Sequence, residues 1–300
     1  MKTKTYLFAL MTMALTLGSC SDNENGIGGE TSKYITVSTS IGNMTRVATD
    51  EKGGQTFEEG DEISVYAWTG DATVAPETRE RVVNNAINKL TNGSWISNPQ
   101  MLWKNNRDKH YFIGVYPISA ISDLSAGEYT FDETKQVESD LLVAVNKDGL
   151  SYNVDEQQPV PLTFTHVMAK LAVNLTYKNQ WGGIPTVEKV VVGNAAKEAT
   201  INYLTKVVTP STTAKEDFSL PEITENTKYV SVIIPQEEVT QLTIVIGGKN
   251  FVYDNGTPFK LESGKITTVN LEVGRDEIKL GDVKITNWED GSTFSGEALN

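Results

Sequence analysis

Apolar and polar residues alternate along much of the chain with the two-residue period of a β-strand. The first run is Tyr34-Ile35-Thr36-Val37-Ser38-Thr39, which places Ile35, Val37, Thr39 and Ile41 on one face. Residues 63–68, 170–177 and 229–234 repeat the pattern with β-branched and aromatic side chains, between stretches of Gly, Asn, Asp and Pro. Such alternation predicts half-buried strands. Residues 241–246 and 251–253 flank Gly247-Gly248-Lys249-Asn250, which predicts a hairpin. Residues 265–273 and 277–288 predict at least two further strands. Helical spacing is sparse: Val82, Val83, Ala86, Ile87 and Leu90 recur at compatible intervals, so 77–90 predicts one helix or turn. Many short strands with turn residues between them indicate an all-β protein built as β-sandwiches. Two prolines in Pro159-Val160-Pro161 follow the polar run Asp155-Glu156-Gln157-Gln158 and suggest a domain boundary. The expected domains are therefore 33–160 and 161–300.

The first residues follow a different logic. Lys2 and Lys4 precede an apolar run over 6–17, and Leu17-Gly18-Ser19-Cys20 closes it. A charged start, a short hydrophobic stretch and small residues at the end form the layout of a secretory signal. The run is shorter than the roughly 20 apolar residues of a membrane-spanning helix. Cys20 stands where a bacterial lipobox places the acylated residue, so 1–19 is the expected lipoprotein signal peptide and Cys20 the lipidation site. An ordinary signal peptide with a coincidental cysteine is the alternative. Residues 20–32, polar and Gly-rich, read as a flexible tether. Ser21-Asp22-Asn23-Glu24 resembles the acidic export signal of surface lipoproteins.

Composition narrows the function. The 300 residues suggest about two domains and allow a substantial core without disulfides or metal. The formal charge of -13, which becomes -15 once Lys2 and Lys4 leave with the signal peptide, argues against a nucleic-acid partner. A single cysteine excludes a disulfide framework and a cysteine-rich metal site. His110 and His166 have no recognisable triad partner nearby in sequence. Asp148-Gly149 and Asp254-Asn255-Gly256 lack the alternating ligands of a calcium loop and read as turns. Gly247-Gly248-Lys249 lacks the remainder of a phosphate loop. No catalytic, cofactor or metal site is predicted, and the expected protein is not an enzyme. Trp68, Trp95, Trp103, Trp181 and Trp288 admit stacking on sugars, although aromatics in strands more often serve the core. Arg46, in Met44-Thr45-Arg46-Val47-Ala48 after the first strand, is a natural site for a trypsin-like cut.

The order of these pieces resembles the fimbrillin family of Bacteroidales surface lipoproteins, the subunits of type V pili, over nearly the whole chain. The resemblance rests on the lipobox ending at Cys20, the first strand followed by Thr45-Arg46, and Phe57-Glu58-Glu59-Gly60-Asp61-Glu62-Ile63-Ser64-Val65-Tyr66. It continues with His110-Tyr111-Phe112-Ile113-Gly114-Val115-Tyr116-Pro117, Ser139-Asp140-Leu141-Leu142-Val143-Ala144, residues 160–171, and a last strand reaching Trp288. The family implies two transthyretin-like β-sandwich domains in tandem. It implies export as a lipoprotein to the outer membrane and cleavage between Arg46 and Val47 by an arginine-specific protease. A strand from a neighbouring subunit then fills the groove left by the first strand. The expected partners are other pilus subunits, that protease, the outer membrane through the lipid, and a host glycan or protein ligand. A donor segment within 277–300 is compatible with Ile278, Leu280, Val283 and Ile285, whose spacing is irregular.

A surface-anchored glycan-binding lipoprotein would share the tether and β-domains and would use exposed tryptophans. A hydrolase would need a carboxylate pair or nucleophile that no motif selects.

Overall fold

In the computed structural model the described residues are 33–42, 56–153 and 158–288. The first half supplies β1 (Val37–Ile41), β2 (Glu62–Thr69), β3 (Val83–Thr91), β4 (Ser94–Asn98), β5 (His110–Tyr116), β6 (Gly127–Thr130), β7 (Leu142–Leu150) and β8 (Val160–His166). All but β6 form one seven-stranded sheet in the order β1-β8-β7-β5-β2-β3-β4. β2 lies deep in it and is buried on both faces, with Ile63, Val65 and Ala67 on one side and Ser64, Tyr66 and Trp68 on the other. Central strands covered on two sides read as continuous apolar runs, as this one does.

The sheet curls until its two edges meet. Trp95 of β4 donates from Nε1 to Thr39 Oγ1 of β1 at 2.9 Å. The backbone of Ile35 donates to Met101 O at 2.9 Å, and that of Trp103 to Lys33 O at 3.1 Å. Ile35, Val37, Val65, Phe112, Leu162 and Phe164 are among the residues packed inside this curl. Closure removes the open edges that a curved sheet would otherwise expose.

The remaining strands are β9 (Ala169–Tyr177), β10 (Val187–Ala196), β11 (Glu198–Asn202), β12 (Val207–Pro210), β13 (Lys215–Ser219), β14 (Glu222–Thr224), β15 (Lys228–Ile233), β16 (Gln236–Ile246), β17 (Lys249–Leu261), β18 (Lys265–Val273) and β19 (Ile278–Asn287). They make a four-stranded sheet, β13-β10-β16-β17, and a five-stranded sheet, β14-β15-β9-β18-β19. The two share one core, to which Leu171, Val190, Leu242, Ile244 and Val269 belong. Gly247 and Gly248, at φ of 58° and 71°, form the predicted hairpin turn between β16 and β17, with Ile246 opposite Lys249. Both need the left-handed conformation that glycine adopts freely.

The second core continues onto the outer face of the first sheet, so the residues from Lys33 onward form one compact unit. The connection between β5 and β7 makes the join. Its β6 pairs with β11, and its Ile121, Leu124 and Phe131 belong to the same buried cluster as Tyr66 and Trp68. Arg81 clamps this connection by donating from Nη1 to Ile121 O at 2.7 Å and from Nη2 to Ser122 O at 2.6 Å.

Two local expectations are corrected, and the expected domain boundary falls at the entry to a strand. Residues 77–90 hold a single 3-10 turn (Thr78–Glu80) and then β3, not a helix. Their helix-like spacing arises from a bulge: Val65 faces Ala86 while Ala67 faces Val83, and Asn85 sits at φ 54°. One inserted residue turns both Val83 and Ala86 inward, three positions apart. Asp254-Asn255-Gly256 is not a separate turn but part of β17, where pairing jumps from Gln241–Asp254 to Val239–Phe259. Pro159-Val160-Pro161 leads into β8 of the first sheet, and the changeover to the later sheets comes at Val167–Met168. Pro161 is tolerated because Val160 N–H points at β1 (2.8 Å to Thr36 O), which turns the nitrogen of residue 161 to the opposite side.

Candidate functional site

The track of β1 is the site to which the sequence signals converge. The expected alternation is present: Ile35 and Val37 are buried, Thr39 and Ile41 half-buried, and Thr36, Ser38 and Ser40 exposed. β1 runs parallel to β8, with Val37 opposite Val160 and Ile41 opposite Phe164. β7 pairs only with the last three residues of β8. Among the described residues, the 160–163 half of β8 thus has β1 as its sole strand neighbour. Ser40 Oγ adds a bond to Thr163 Oγ1 at 3.2 Å.

The far wall of the track is aromatic. The Phe57 ring stands edge-on to Trp95, Tyr116 and Phe164, with centroids 5.3, 5.4 and 5.1 Å away. Offset edge contacts of this kind hold rings in fixed orientation. Trp95 is thereby held with its N–H toward Thr39. The reading of the sequence did not single out Phe57 for this role. Its only signal was an aromatic residue outside a strand, directly before the Glu58–Asp61 turn, in which Glu58 N–H donates to Asp61 Oδ2 at 2.7 Å.

Gly42 and Thr56 border the segment that carries the expected cut. Cys20, Arg46 and Val47 lie outside the described residues, as do the signal peptide and tether.

The last strand is the other element to which the sequence pointed. β19 pairs antiparallel with β18 at the sheet edge, and the partners shift from Leu271–Leu280 to Asn270–Asp282. Gly281 is the extra residue, and this bulge puts Ile278, Leu280, Val283 and Ile285 on one face despite their irregular spacing. Val283 and Ile285 remain 37% and 39% exposed, so this edge is thinly covered.

The two histidines have structural partners. Buried His110 accepts a bond at Nε2 from the Lys104 backbone (3.1 Å), and its Nδ1 lies 3.1 Å from Asp108 O. Burial pushes its pKa below the usual value. His166 Nδ1 lies 2.8 Å from Asp140 Oδ1, a pairing across 26 residues that the sequence did not reveal. The His166 ring stacks on Trp288, so the imidazole face is covered rather than presented to a cleft. Lys170, 2% exposed, sits with Nζ 4.3 Å from the centre of the Trp288 ring. Burial lowers its pKa to about 8 against the pull of Asp140.

No tryptophan is fully exposed. Trp68 and Trp288 are buried, and Trp95, Trp103 and Trp181 are half-buried against other rings. An open cleft of about 770 Å³ lies beside Trp68 and Trp103, and Asp71, Arg79, Glu80 and Lys104 give it both signs of charge. Among the described residues, no three His, Cys, Asp or Glu side chains converge as metal ligands.

A family model described as fimbrillin-like matches residues 45–288. The chain belongs to the fimbrillin-like family. Its fold is shared with solved structures from Bacteroides, at low sequence identity. A Bacteroides ovatus protein assigned to cell adhesion superposes with a TM-score of 0.65 at 17% identity, covering 85% of this chain and 98% of its own. A Bacteroides uniformis protein of the same assignment gives 0.61 at 17%, covering 86% and 100%. A fimbrial protein of Bacteroides vulgatus gives 0.52 at 11%, covering 84% and 99%. Among curated proteins none matches in sequence. Membership in the fimbrillin-like family supports a pilus-subunit role at the cell surface.

Proposed function

We propose that this protein is a structural or adhesive pilus subunit, exported to the outer membrane as a lipoprotein on Cys20 and assembled by strand exchange. An arginine-specific protease cuts after Arg46, the segment bearing β1 departs, and a strand of another subunit takes its place in the fimbrium. The two halves of the body act as tandem sandwich domains, with the changeover after β8.

The observation that carries this reading is the position of β1. It is the strand nearest the lipid site, it covers a core, and 160–163 has no other strand neighbour among the described residues. Its loss would bare a sheet edge beside an apolar slot, an arrangement that favours strand addition. The driving force is restored main-chain bonding plus apolar burial at roughly 25 cal/mol per Å².

The alternative, a glycan-binding lipoprotein, is less favoured because the tryptophan faces are taken up by neighbouring rings.

Limiting treatment of unlipidated protein with an arginine-specific protease, followed by an unboiled denaturing gel, tests the proposal. A ladder whose new N-terminus is Val47 supports it. A clipped species that stays monomeric assigns a tip or anchor position instead of a polymerising one. No cut at Arg46 under native conditions overturns it.

A further inference from the structure

The four inward positions from Ile35 to the end of β1 are not alike. Ile35, Val37 and Ile41 are aliphatic, whereas Thr39 carries a hydroxyl into an otherwise apolar slot. That hydroxyl oxygen accepts the indole N–H of Trp95 at 2.9 Å. Trp has a donor and no acceptor, so only an oxygen or other acceptor can satisfy it. The indole does not swing freely to find one elsewhere, because Phe57 packs edge-on against it and is itself wedged against Tyr116 and Phe164.

We infer that Trp95 determines which strand the track accepts. This rests on the proposal that β1 is exchanged. The fitting occupant is an extended segment of another subunit, parallel to β8, with aliphatic residues at its first, second and fourth inward positions. At the third it bears a short side chain with an acceptor oxygen: Thr, Ser or Asn. A strand that is aliphatic at all four positions buries more apolar surface, yet it leaves the indole N–H without a partner beneath it. In this half-buried site an unmet donor forfeits a hydrogen bond that water reaches only in part, so the purely greasy strand binds less well. Hydrophobicity makes the slot sticky, and Trp95 makes it selective.

The test uses the full unlipidated chain carrying the cleavage site of a sequence-specific protease between residues 47 and 55. The backbone is thus opened whether or not Arg46 is a natural target. After the cut, synthetic peptides spanning 33–43 compete with the resident strand, and displacement of the N-terminal fragment that carries β1 is followed by size exclusion. The native peptide and its Thr39→Ser form are expected to displace it, and the Thr39→Val form, equal in shape, to need about tenfold more peptide or greater. In Trp95→Phe protein that preference should shrink to about twofold or less. Equal competition by the native and Thr39→Val peptides on the unmutated protein overturns the role of Trp95 and leaves strand exchange standing. No displacement by any peptide overturns both.

Discussion

His166 and Trp288 stack face to face, with ring centroids 4.2 Å apart and planes 9° from parallel. One residue ends the first sheet at β8 and the other follows β19, so the contact pins the end of the last strand to the junction between the two halves. Lys170 Nζ lies 4.3 Å from the centre of the same indole, and the Trp288 backbone donates to Gly264 O at 3.2 Å. Trp288→Ala is expected to lower stability by about 3 kcal/mol or more, as removal of a buried indole does. Trp288→Phe should cost clearly less, because Trp288 Nε1 is buried with no hydrogen-bond partner among the described residues. Denaturant titration checks both values. Hydrogen exchange should show lost protection concentrated in β19 and not in β1.

Lys170 gives the fold a pH signature. Its pKa falls from the usual 10.5 to about 8 on burial, with Asp140 opposing the shift and Lys228 adding to it. Between those values the unfolded chain holds a proton that the folded chain has released, so stability rises with pH across that window. The share of Lys170 in the gain from pH 8 to 9 is about 1 kcal/mol. As pH approaches 10 the hydroxyls of Tyr66, Tyr116, Tyr129, Tyr177, Tyr203 and Tyr229, whose pKa values burial raises, reverse the trend. Urea midpoints measured at pH 8, 8.5 and 9 should increase in the native protein and change markedly less in Lys170→Met. Parallel curves for the two proteins would show that Lys170 is not the source.

Strands whose inward residues keep a strict period of two were legible in the sequence, β1 and β9 among them. Two of the misreadings share a cause, since a bulge adds one residue and shifts the phase. It made Val83 and Ala86 mimic a helix in β3, and it made Ile278, Leu280, Val283 and Ile285 look unordered in β19. The aromatic wall was not legible for another reason. Phe57, Trp95, Tyr116 and Phe164 lie in four separate segments and meet only because the sheet curls until β1 reaches β4. Asp140 and His166 are likewise brought together by the neighbouring strands β7 and β8. What the pattern did convey was the position of β1 relative to Cys20 and Arg46, on which the family resemblance turns.

Phe57 should govern how firmly β1 is held. Phe57→Ala removes three edge contacts from the wall of the track and is expected to destabilise the protein by about 2 kcal/mol. Its distinguishing effect is kinetic. After the backbone is opened between residues 47 and 55, the fragment bearing β1 should leave several times faster than from the native protein. Phe57→Leu should restore much of the stability without the full retention, because a branched aliphatic fills space but offers no ring edge. A fragment off-rate unchanged in Phe57→Ala would show that the backbone pairing with β8 alone holds the strand.

Arg46→Ala separates processing from folding. The substitution lies outside the described residues and removes only the proposed cut. The variant should therefore match the native protein in folding stability to within about 0.5 kcal/mol. Exposed to the same arginine-specific protease, it should keep β1 and give no ladder on the unboiled gel. A cut engineered between residues 47 and 55 in the same variant should restore the ladder, since assembly depends on the strand leaving and not on the arginine itself. Polymerisation of uncut Arg46→Ala at the native rate would mean that subunits join without vacating the β1 track, and the strand-exchange proposal would fall.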